Sequence, residues 1–214
     1  MTLVALDYER DPQAIYARSF ATVEAEADLS RLPAALRPVA IRLIHACGMV
    51  EIAPDIAGSP DLVDRAVAAL RDGAPVLCDC EMVRAGVIRR LLPAENPVLT
   101  TIAAPEVAAH ARAIGNTRSA AAVEFWKPEL EGAVVAIGNA PTALFHLLEL
   151  LGRGWPRPAA ILGFPVGFVG AAESKAELAA DPRGVPFLTL AGRRGGSAMA
   201  SAAVNALAVL AGRE

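Results

Sequence analysis

The sequence is poor in the residues that most often carry catalysis or form cross-links. Its 214 residues include only three cysteines and three histidines, and aromatic side chains make up 5%. Three cysteines without a CxxC pair form neither a disulfide framework nor a paired ligand set, so we expect them to stay reduced. For Cys78 and Cys80, small residues lining a strand end are a better interpretation than a metal or redox site. We therefore predict that the protein binds no metal.

A membrane-spanning run is also missing, although the mean hydropathy is +0.41. The index is high because 46 residues are alanine. Even the charge-free stretch 132–148 contains Gly, Asn, Pro, Thr and His, and it does not supply the roughly 20 apolar residues that a bilayer requires. We expect no membrane span.

Neither sign of charge is in large excess. The formal net charge is −3 and the pI is about 5.7, which gives no electrostatic case for binding nucleic acid or an acidic membrane surface. The first ten residues carry Asp7, Glu9 and Arg10 and lack the apolar core of a secretory signal. We expect a cytoplasmic, folded protein.

Short β-type runs alternate with alanine-rich helical stretches after about residue 73. Continuous apolar runs such as Val134–Ile137 are typical of parallel strands covered on both faces. The predicted strands are 75–80, 98–102, 133–138, 159–163 and 186–191, and the helices that follow them are 82–92, 105–114 with 118–125, 142–151, 171–180 and 197–210. Before them, helices are predicted at 12–26, 34–47 and from 59 to about 72. The pattern predicts one α/β domain over residues 1–214, an open, mainly parallel sheet with helices on both faces and a helical N-terminal segment.

Glycine-rich segments follow three of the predicted strands, at 138–142, 163–168 and 192–197. Glycines let a backbone approach a ligand, and helix N-termini offer N–H groups to anions. Arg193 and Arg194 add positive charge, so we predict a ligand that carries carboxylates or phosphates. The competing interpretation is that the glycines and prolines of each loop only form the turn between a strand and the next helix. No GxxxxGK[ST] and no GxGxxG at a first strand-to-helix turn is present, and Ser197 fits a helix N-cap better than a nucleophile.

His45 is the histidine with the most informative context. It lies one turn after Arg42 and just before the helix-stopping Gly48. A structural role for His45 is the alternative interpretation. If the side chain faces a pocket, its reference pKa of about 6.5 suits a general acid or base. His110 and His146 have the contexts of a surface and a packing residue. No HExxH or GxSxG motif supports metal hydrolysis or serine-triad chemistry.

Seven short motifs in one order resemble the precorrin-8X methylmutase family of the cobalamin pathway. They are Ser19-Phe20, the segment 42–49 with IHACGM, Thr117-Arg118, GNAPT at 138–142, FPVGF at 164–168, ESK at 173–175 and GRRGGS at 192–197. The resemblance implies an α/β homodimer that moves a methyl group from C-11 to C-12 of precorrin-8X and yields hydrogenobyrinate. It implies no cofactor, no methyl donor, and a possible hand-over of product to the next enzyme.

The resemblance also implies roles for individual residues. His45 corresponds to the family histidine, a proton donor or acceptor on the macrocycle. Phe164, Val166 and Phe168 suit part of an apolar floor. The residues that match positions expected at the substrate or suit its carboxylates are Ser19, Arg42, Thr117, Arg118, Asn139, Lys175, Arg193, Arg194, Gly195, Gly196 and Ser197. For Lys175, solvated surface is an equally good interpretation of its local sequence.

Two other functions stay open on the sequence alone. The first is a non-catalytic carrier that holds hydrogenobyrinate for the next enzyme, since binding and catalysis would use the same pocket. The second, independent of the resemblance, is an α/β enzyme that acts on a phosphorylated metabolite.

Overall fold

One mixed sheet forms the centre of the protein. The computed structural model describes residues 6–212, and within them the strands are β1 Ile56–Gly58, β2 Val76–Cys78, β3 Val98–Leu99, β4 Val134–Ile137, β5 Ala160–Gly163 and β6 Phe187–Leu190. Their order across the sheet is β1-β6-β5-β4-β2-β3. Strands β2 to β6 are parallel, and β1 pairs antiparallel with β6 through Ile56 opposite Leu190.

Helices cover both faces of this sheet. They are α1 Pro12–Glu26, α2 Arg37–Cys47, α3 Leu62–Arg71, α4 Glu81–Gly86, α5 Val107–Ala113, α6 Arg118–Glu124, α7 Pro141–Gly152, α8 Ala171–Ala180 and α9 Ser197–Ala211. Short 3-10 helices lie at Ala34–Leu36, Val50–Asp55, Arg89–Leu91 and Lys127–Glu129. The predicted fold class is confirmed, and none of the helices in residues 6–212 is long and apolar enough to cross a membrane.

Local sequence signals account for the ends of the first two helices. The Asp11 side chain accepts a hydrogen bond from the Gln13 N–H at 2.9 Å, and Pro12 occupies the first turn, as predicted. Gly48 ends α2 in the left-handed conformation with φ 67°, which glycine adopts without steric cost. Helix α2 therefore ends at Cys47, two residues after His45.

Alternate residues of each strand enter two different hydrophobic cores. Val134 and Ala136 pack with α2, α3 and α9 on one face. Val135 and Ile137 pack with α7 and α8 on the other. Because successive side chains of a strand point to opposite faces, a continuous apolar run is what a sheet covered on both sides requires.

Several features differ from the sequence-based prediction, and of the predicted strand 98–102 only Val98–Leu99 forms β3. The predicted helix 82–92 ends at Gly86, where a Cβ would collide with the Ser201 side chain on α9, and a 3-10 turn follows. Strand β1 was not predicted, because three residues carry no periodic signal. Residues 1–5, part of the segment considered for a secretory signal, and residues 213–214 of the predicted domain lie outside the described residues.

The strand order reverses direction between β2 and β4. From β2 the chain passes to β3 on one side, and it then returns to build β4, β5 and β6 on the other. In open α/β sheets the crevice outside the carboxyl ends of two such strands is the usual place for a ligand. Here that crevice lies between Asp79 and Gly138.

Candidate active site

The helix pair α1–α2 brings together three residues predicted for the site. The Ser19 Oγ lies 2.7 Å from Nδ1 of His45, a contact between residues 26 positions apart. The His45 ring also contacts Tyr16 and Phe20, with ring centroids 5.4 and 5.1 Å away. The Arg42 guanidinium lies 5.1 Å from the centre of the Phe20 ring. These contacts fix the imidazole plane while leaving it half-exposed.

A small cleft lies beside this imidazole. Its volume is about 110 Å³, and its walls come from α1, α2, the segment after α4, and α9. The lining residues are Tyr16, Arg42, His45, Ala46, Ile88, Leu91, Ala202 and Asn205. Asn205 also fixes one wall, because its side chain accepts from the Ile88 N–H at 2.8 Å and donates to the Gly86 carbonyl at 3.0 Å. No local signal in the sequence points to Asn205, because both partners are more than 100 positions away.

A buried carboxylate occupies the crevice where the strand order reverses. Asp79 follows β2, is 3% exposed, and accepts hydrogen bonds of 2.9 Å from the backbone N–H groups of Gly138, Asn139 and Ala140. Burial raises the pKa of this carboxyl, and the three hydrogen bonds act in the opposite direction. An internal carboxylate therefore already takes these three N–H groups, and binding of an anionic ligand by the rest of the 138–142 segment stays a prediction.

Thr117, Arg118 and Asn139 lie around the same edge of the sheet. Thr117 caps α6 by accepting from the Ala120 N–H at 3.1 Å, and its Oγ1 lies 2.8 Å from Oγ1 of Thr142 on α7. Arg118, the first residue of α6, is exposed and donates to the Ile102 carbonyl at 3.1 Å. The Asn139 side chain is exposed at the end of β4. One edge thus carries two amide or hydroxyl groups and a cation that face solvent.

Lys175 lies beneath the third predicted loop, not on the surface. It is 1% exposed, and its Nζ donates to the Arg194 carbonyl. Burial lowers the pKa of this ammonium to about 8, while the charge of Asp55 opposes the shift. The solvated-surface interpretation of Lys175 is wrong, and its contact with a substrate stays a prediction.

The loop 192–197 is held closely against the loop after β5. The Gly196 N–H donates to the Phe164 carbonyl at 2.8 Å, and a Cβ at Gly195 would collide with that carbonyl. The Arg193 and Arg194 side chains are exposed, and the Arg193 guanidinium lies 5.5 Å from the centre of the Phe168 ring. Phe164 is fully buried, whereas Val166 and Phe168 are 43% and 85% exposed, so only the last two are placed to form an apolar floor.

Ser197 differs from its predicted role. It is the first residue of α9, and the cap position belongs to Gly196, which makes no side-chain hydrogen bond. The Ser197 Oγ lies 3.5 Å from Sγ of Cys80. Burial raises the pKa of the Cys80 thiol and raises that of Cys78 to about 12. Neither cysteine is therefore a reactive thiolate at neutral pH. No cluster of three metal-ligating side chains occurs within residues 6–212.

The other two histidines belong to a separate cluster. Glu124 accepts from Nε2 of His110 at 2.7 Å and is 2.8 Å from Nε2 of His146. Burial acts to raise the pKa of Glu124, but the hydrogen bonds with His146 and His110 outweigh it and lower the pKa. His146 is buried, as its packing context suggested. The cluster links α5, α6 and α7 and has no residue in the His45 cleft.

Helix α9 connects the two groups of predicted site residues. Ser197 begins it at the edge of the sheet, and Ala202 and Asn205 line the His45 cleft. Five helical residues advance about 7.5 Å along the axis. The start of α9 beside the arginine-bearing loop and the cleft residue Ala202 are therefore about 7.5 Å apart along the helix axis.

Several known proteins are similar to this chain in both sequence and fold. The family described as precorrin-8X methylmutase matches residues 14–210. The precorrin-8X methylmutase of Pseudomonas aeruginosa is 61% identical over 203 residues, covering 95% of this chain and 98% of that protein. One from a Sinorhizobium species is 59% identical, covering 94% and 96%. The crystal structure of the Thermus thermophilus precorrin-8X methylmutase has a TM-score of 0.83 and 39% identity, covering 94% and 96%.

The fold and these similarities define the chain as an isomerase of cobalamin biosynthesis. It belongs to the precorrin-8X methylmutase family. The predicted resemblance is thereby confirmed.

Proposed function

We propose that the enzyme moves the methyl group of precorrin-8X from C-11 to C-12 and releases hydrogenobyrinate, with His45 as the proton donor and acceptor. The observation that carries this proposal is the Ser19–His45 contact of 2.7 Å at the edge of a cleft. A half-exposed imidazole with one nitrogen engaged by a hydroxyl is oriented and still accessible, as a general acid or base must be.

The proton balance fits an isomerisation. His45 protonates the conjugated macrocycle, the methyl group migrates within the same molecule, and a proton is returned to the imidazole. No atom is gained or lost, so no methyl donor is needed. Because Ser19 engages Nδ1, we assign proton exchange with the macrocycle to Nε2.

The acetate and propionate groups of the macrocycle call for dispersed donors around a broad surface, since charge-assisted hydrogen bonds are the strong ones. We assign them to Arg42 beside the imidazole and to Arg193 and Arg194 on the loop before α9. The backbone of Gly195 and Gly196 and the side chains of Ser19, Thr117, Arg118, Asn139 and Ser197 complete the proposed substrate surface, and Lys175 supports it from beneath through its bond to the Arg194 carbonyl.

A homodimer would complete this site. The cleft of about 110 Å³ is smaller than the roughly 300–1,000 Å³ of pockets that enclose a small-molecule ligand. Tyr16 and Ile88, which line it, are exposed, as is Phe168 near the other end of the site. A second copy packed across them would bury these side chains and enclose the macrocycle. Light scattering should give about twice the monomer mass of 22.2 kDa.

We further propose a cytoplasmic location and hand-over of product to the next enzyme. Free Cys47, Cys78 and Cys80 suit a reducing compartment. Hydrogenobyrinate carries the same carboxylates as the substrate, so the donors that bind one also retain the other. Slow product release that a downstream enzyme accelerates would support this hand-over.

The decisive experiment is incubation of the purified protein with metal-free precorrin-8X. The orange corrin chromophore should form, His45→Ala should bind without conversion, and His110→Ala should convert normally because its site is separate. Conversion by His45→Ala at the wild-type rate would contradict the proton-transfer role. Binding without conversion by the wild-type protein would instead support the non-catalytic carrier.

A further inference from the structure

Asp79 combines burial, charge and location in a way that the proton-transfer chemistry does not use. We propose that it is a positioning residue for substrate recognition, which holds the 138–140 loop and the start of α6 where they meet the carboxylates of the macrocycle. This inference rests on the proposed function, because the substrate surface that Asp79 would organise is part of it.

The first argument is the hydrogen bonding of the carboxylate itself. One oxygen accepts from Gly138, the other from both Asn139 and Ala140, each at 2.9 Å. Hydrogen bonds to an ionised acceptor are stronger than neutral ones, and three of them fix consecutive peptide groups. The backbone that carries the Asn139 side chain therefore has little freedom to move.

The second argument is that the constraint passes on to α6. Ala140 precedes Pro141, the first residue of α7, and the next hydroxyl, that of Thr142, lies 2.8 Å from the hydroxyl of Thr117. Thr117 in turn caps α6, so Arg118 projects from the next position. A shift of the 138–140 loop would displace three predicted substrate contacts together.

The third argument is location. Asp79 and Gly138 flank the crevice at which the strand order reverses, the usual ligand position in such sheets. Gly138 also packs against the first residue of α9, because a Cβ there would lie 2.8 Å from Cα of Ser197. Asp79 thus lies at the junction of two loops that carry predicted substrate contacts.

A matched control exists at the opposite edge of the sheet. Asn96 is 4% exposed and also makes three backbone hydrogen bonds: it accepts from Ala94 at 3.2 Å and donates to Leu70 and Ala74 at 2.8 and 2.9 Å. Asp79→Asn turns an amide NH2 toward at least one backbone N–H group, and Asn96→Asp turns an oxygen toward two carbonyls. The two changes are chemically reciprocal, but only the first lies near the proposed site.

The experiment compares KM, kcat and thermal unfolding of the wild-type enzyme, Asp79→Asn and Asn96→Asp with precorrin-8X. We expect Asp79→Asn to raise KM about tenfold or more with kcat changed less than about threefold, which corresponds to one lost charge-assisted hydrogen bond. Asn96→Asp should lower the unfolding temperature but leave KM unchanged.

Each outcome bears on the proposal. Equal effects of the two variants on KM, or a wild-type KM in Asp79→Asn, would overturn it while the proposed function stands. A wild-type protein that neither binds nor converts precorrin-8X would overturn both. Should Asp79→Asn not fold, Thr142→Val at a partly exposed position should raise KM by a smaller factor without changing stability, and an unchanged KM would contradict the relay to α6.

Discussion

The α1–α2 helix pair and the carboxyl edge of the sheet hold their polar residues in opposite ways. On the helix pair, Ser19 and His45 are half-exposed and joined by one hydrogen bond of 2.7 Å. At the sheet edge, Asp79 and Lys175 are 3% and 1% exposed, and each bonds to backbone. The first region offers a side chain to a ligand, whereas the second uses buried charges to shape the loops around it.

This contrast separates chemistry from positioning. A half-exposed side chain can be replaced with little loss of stability, because few neighbours depend on it. A buried charge holds several backbone groups, so its removal leaves them unpaired in a poorly solvated place. Substitutions on α1–α2 should therefore change activity without changing stability, whereas substitutions of the buried charges Asp79 and Lys175 should change both together.

Gly195→Ala should produce the largest change in stability. Its Cβ would collide with the backbone carbonyls of Phe164 and Pro165, and forcing atoms into such a site costs about 3 kcal/mol. Gly192→Ala is the control, since its φ of 78° adds strain of about 1 kcal/mol but no atom lies within 4 Å. Urea unfolding of the two variants measures the difference, and equal losses would mean that the two loops are not rigidly packed.

Arg193→Ala should weaken binding without unfolding the loop. The guanidinium is exposed and contacts only the Phe168 ring among the interactions described, so the loss should be one charged hydrogen bond to the ligand, about 1–3 kcal/mol. Absorbance titration with hydrogenobyrinate measures the affinity. Arg153→Ala at the far end of α7 should bind like wild type, and an unchanged affinity in Arg193→Ala would show that this arginine is peripheral.

Ser19→Ala should affect turnover more than binding. Without the hydroxyl, Nδ1 of His45 loses its partner and the imidazole is less well oriented, so kcat should fall about tenfold, or about 1.4 kcal/mol, with a smaller change in KM. Thr22→Ala is the control, because that hydroxyl bonds only to the Arg18 carbonyl of the same helix. A fall in kcat of the same size in both variants would point to α1 as a whole.

Lys175 should make stability depend on alkaline pH. Its pKa in the folded protein is about 8 against an ordinary value of 10.5, so between these values the unfolded chain binds more protons. The free energy of unfolding should then rise with pH across this window, by at most about 1.4 kcal/mol per unit, and be lowest below pH 8. Unfolding of the wild type, Lys175→Met and the exposed-lysine control Lys127→Met at several pH values isolates the contribution. A slope that survives in Lys175→Met would assign it elsewhere.

The sequence predicted those features that depend on neighbouring residues. The caps at Asp11 and Gly48 and the apolar run of β4 are local signals, and the structure has all three. The short strand β1 has no such signal, because its partner in the sheet lies about 130 positions away at Leu190. Local pattern cannot reveal pairing over that distance.

The site shows the same limit. Motif order pointed to His45 and Ser19, but their contact depends on how α1 packs on α2. The three hydrogen bonds of Asp79 join residues about 60 positions apart, and Lys175 gives no sign of its burial in an alanine-rich helix. Long-range packing decides which charged residues face a ligand and which face the backbone.

Helix α1 is weakly anchored, and this has a consequence for how ligand binding would be detected. Of its fifteen residues, Val23 alone is buried, whereas α9 buries nine. A helix with so little buried surface opens locally at a small cost in free energy. In the free protein its amide hydrogens should exchange with solvent much faster than those of α9. A bound macrocycle should slow exchange most strongly in α1, so occupancy of the site would be recorded in the helix that carries Ser19.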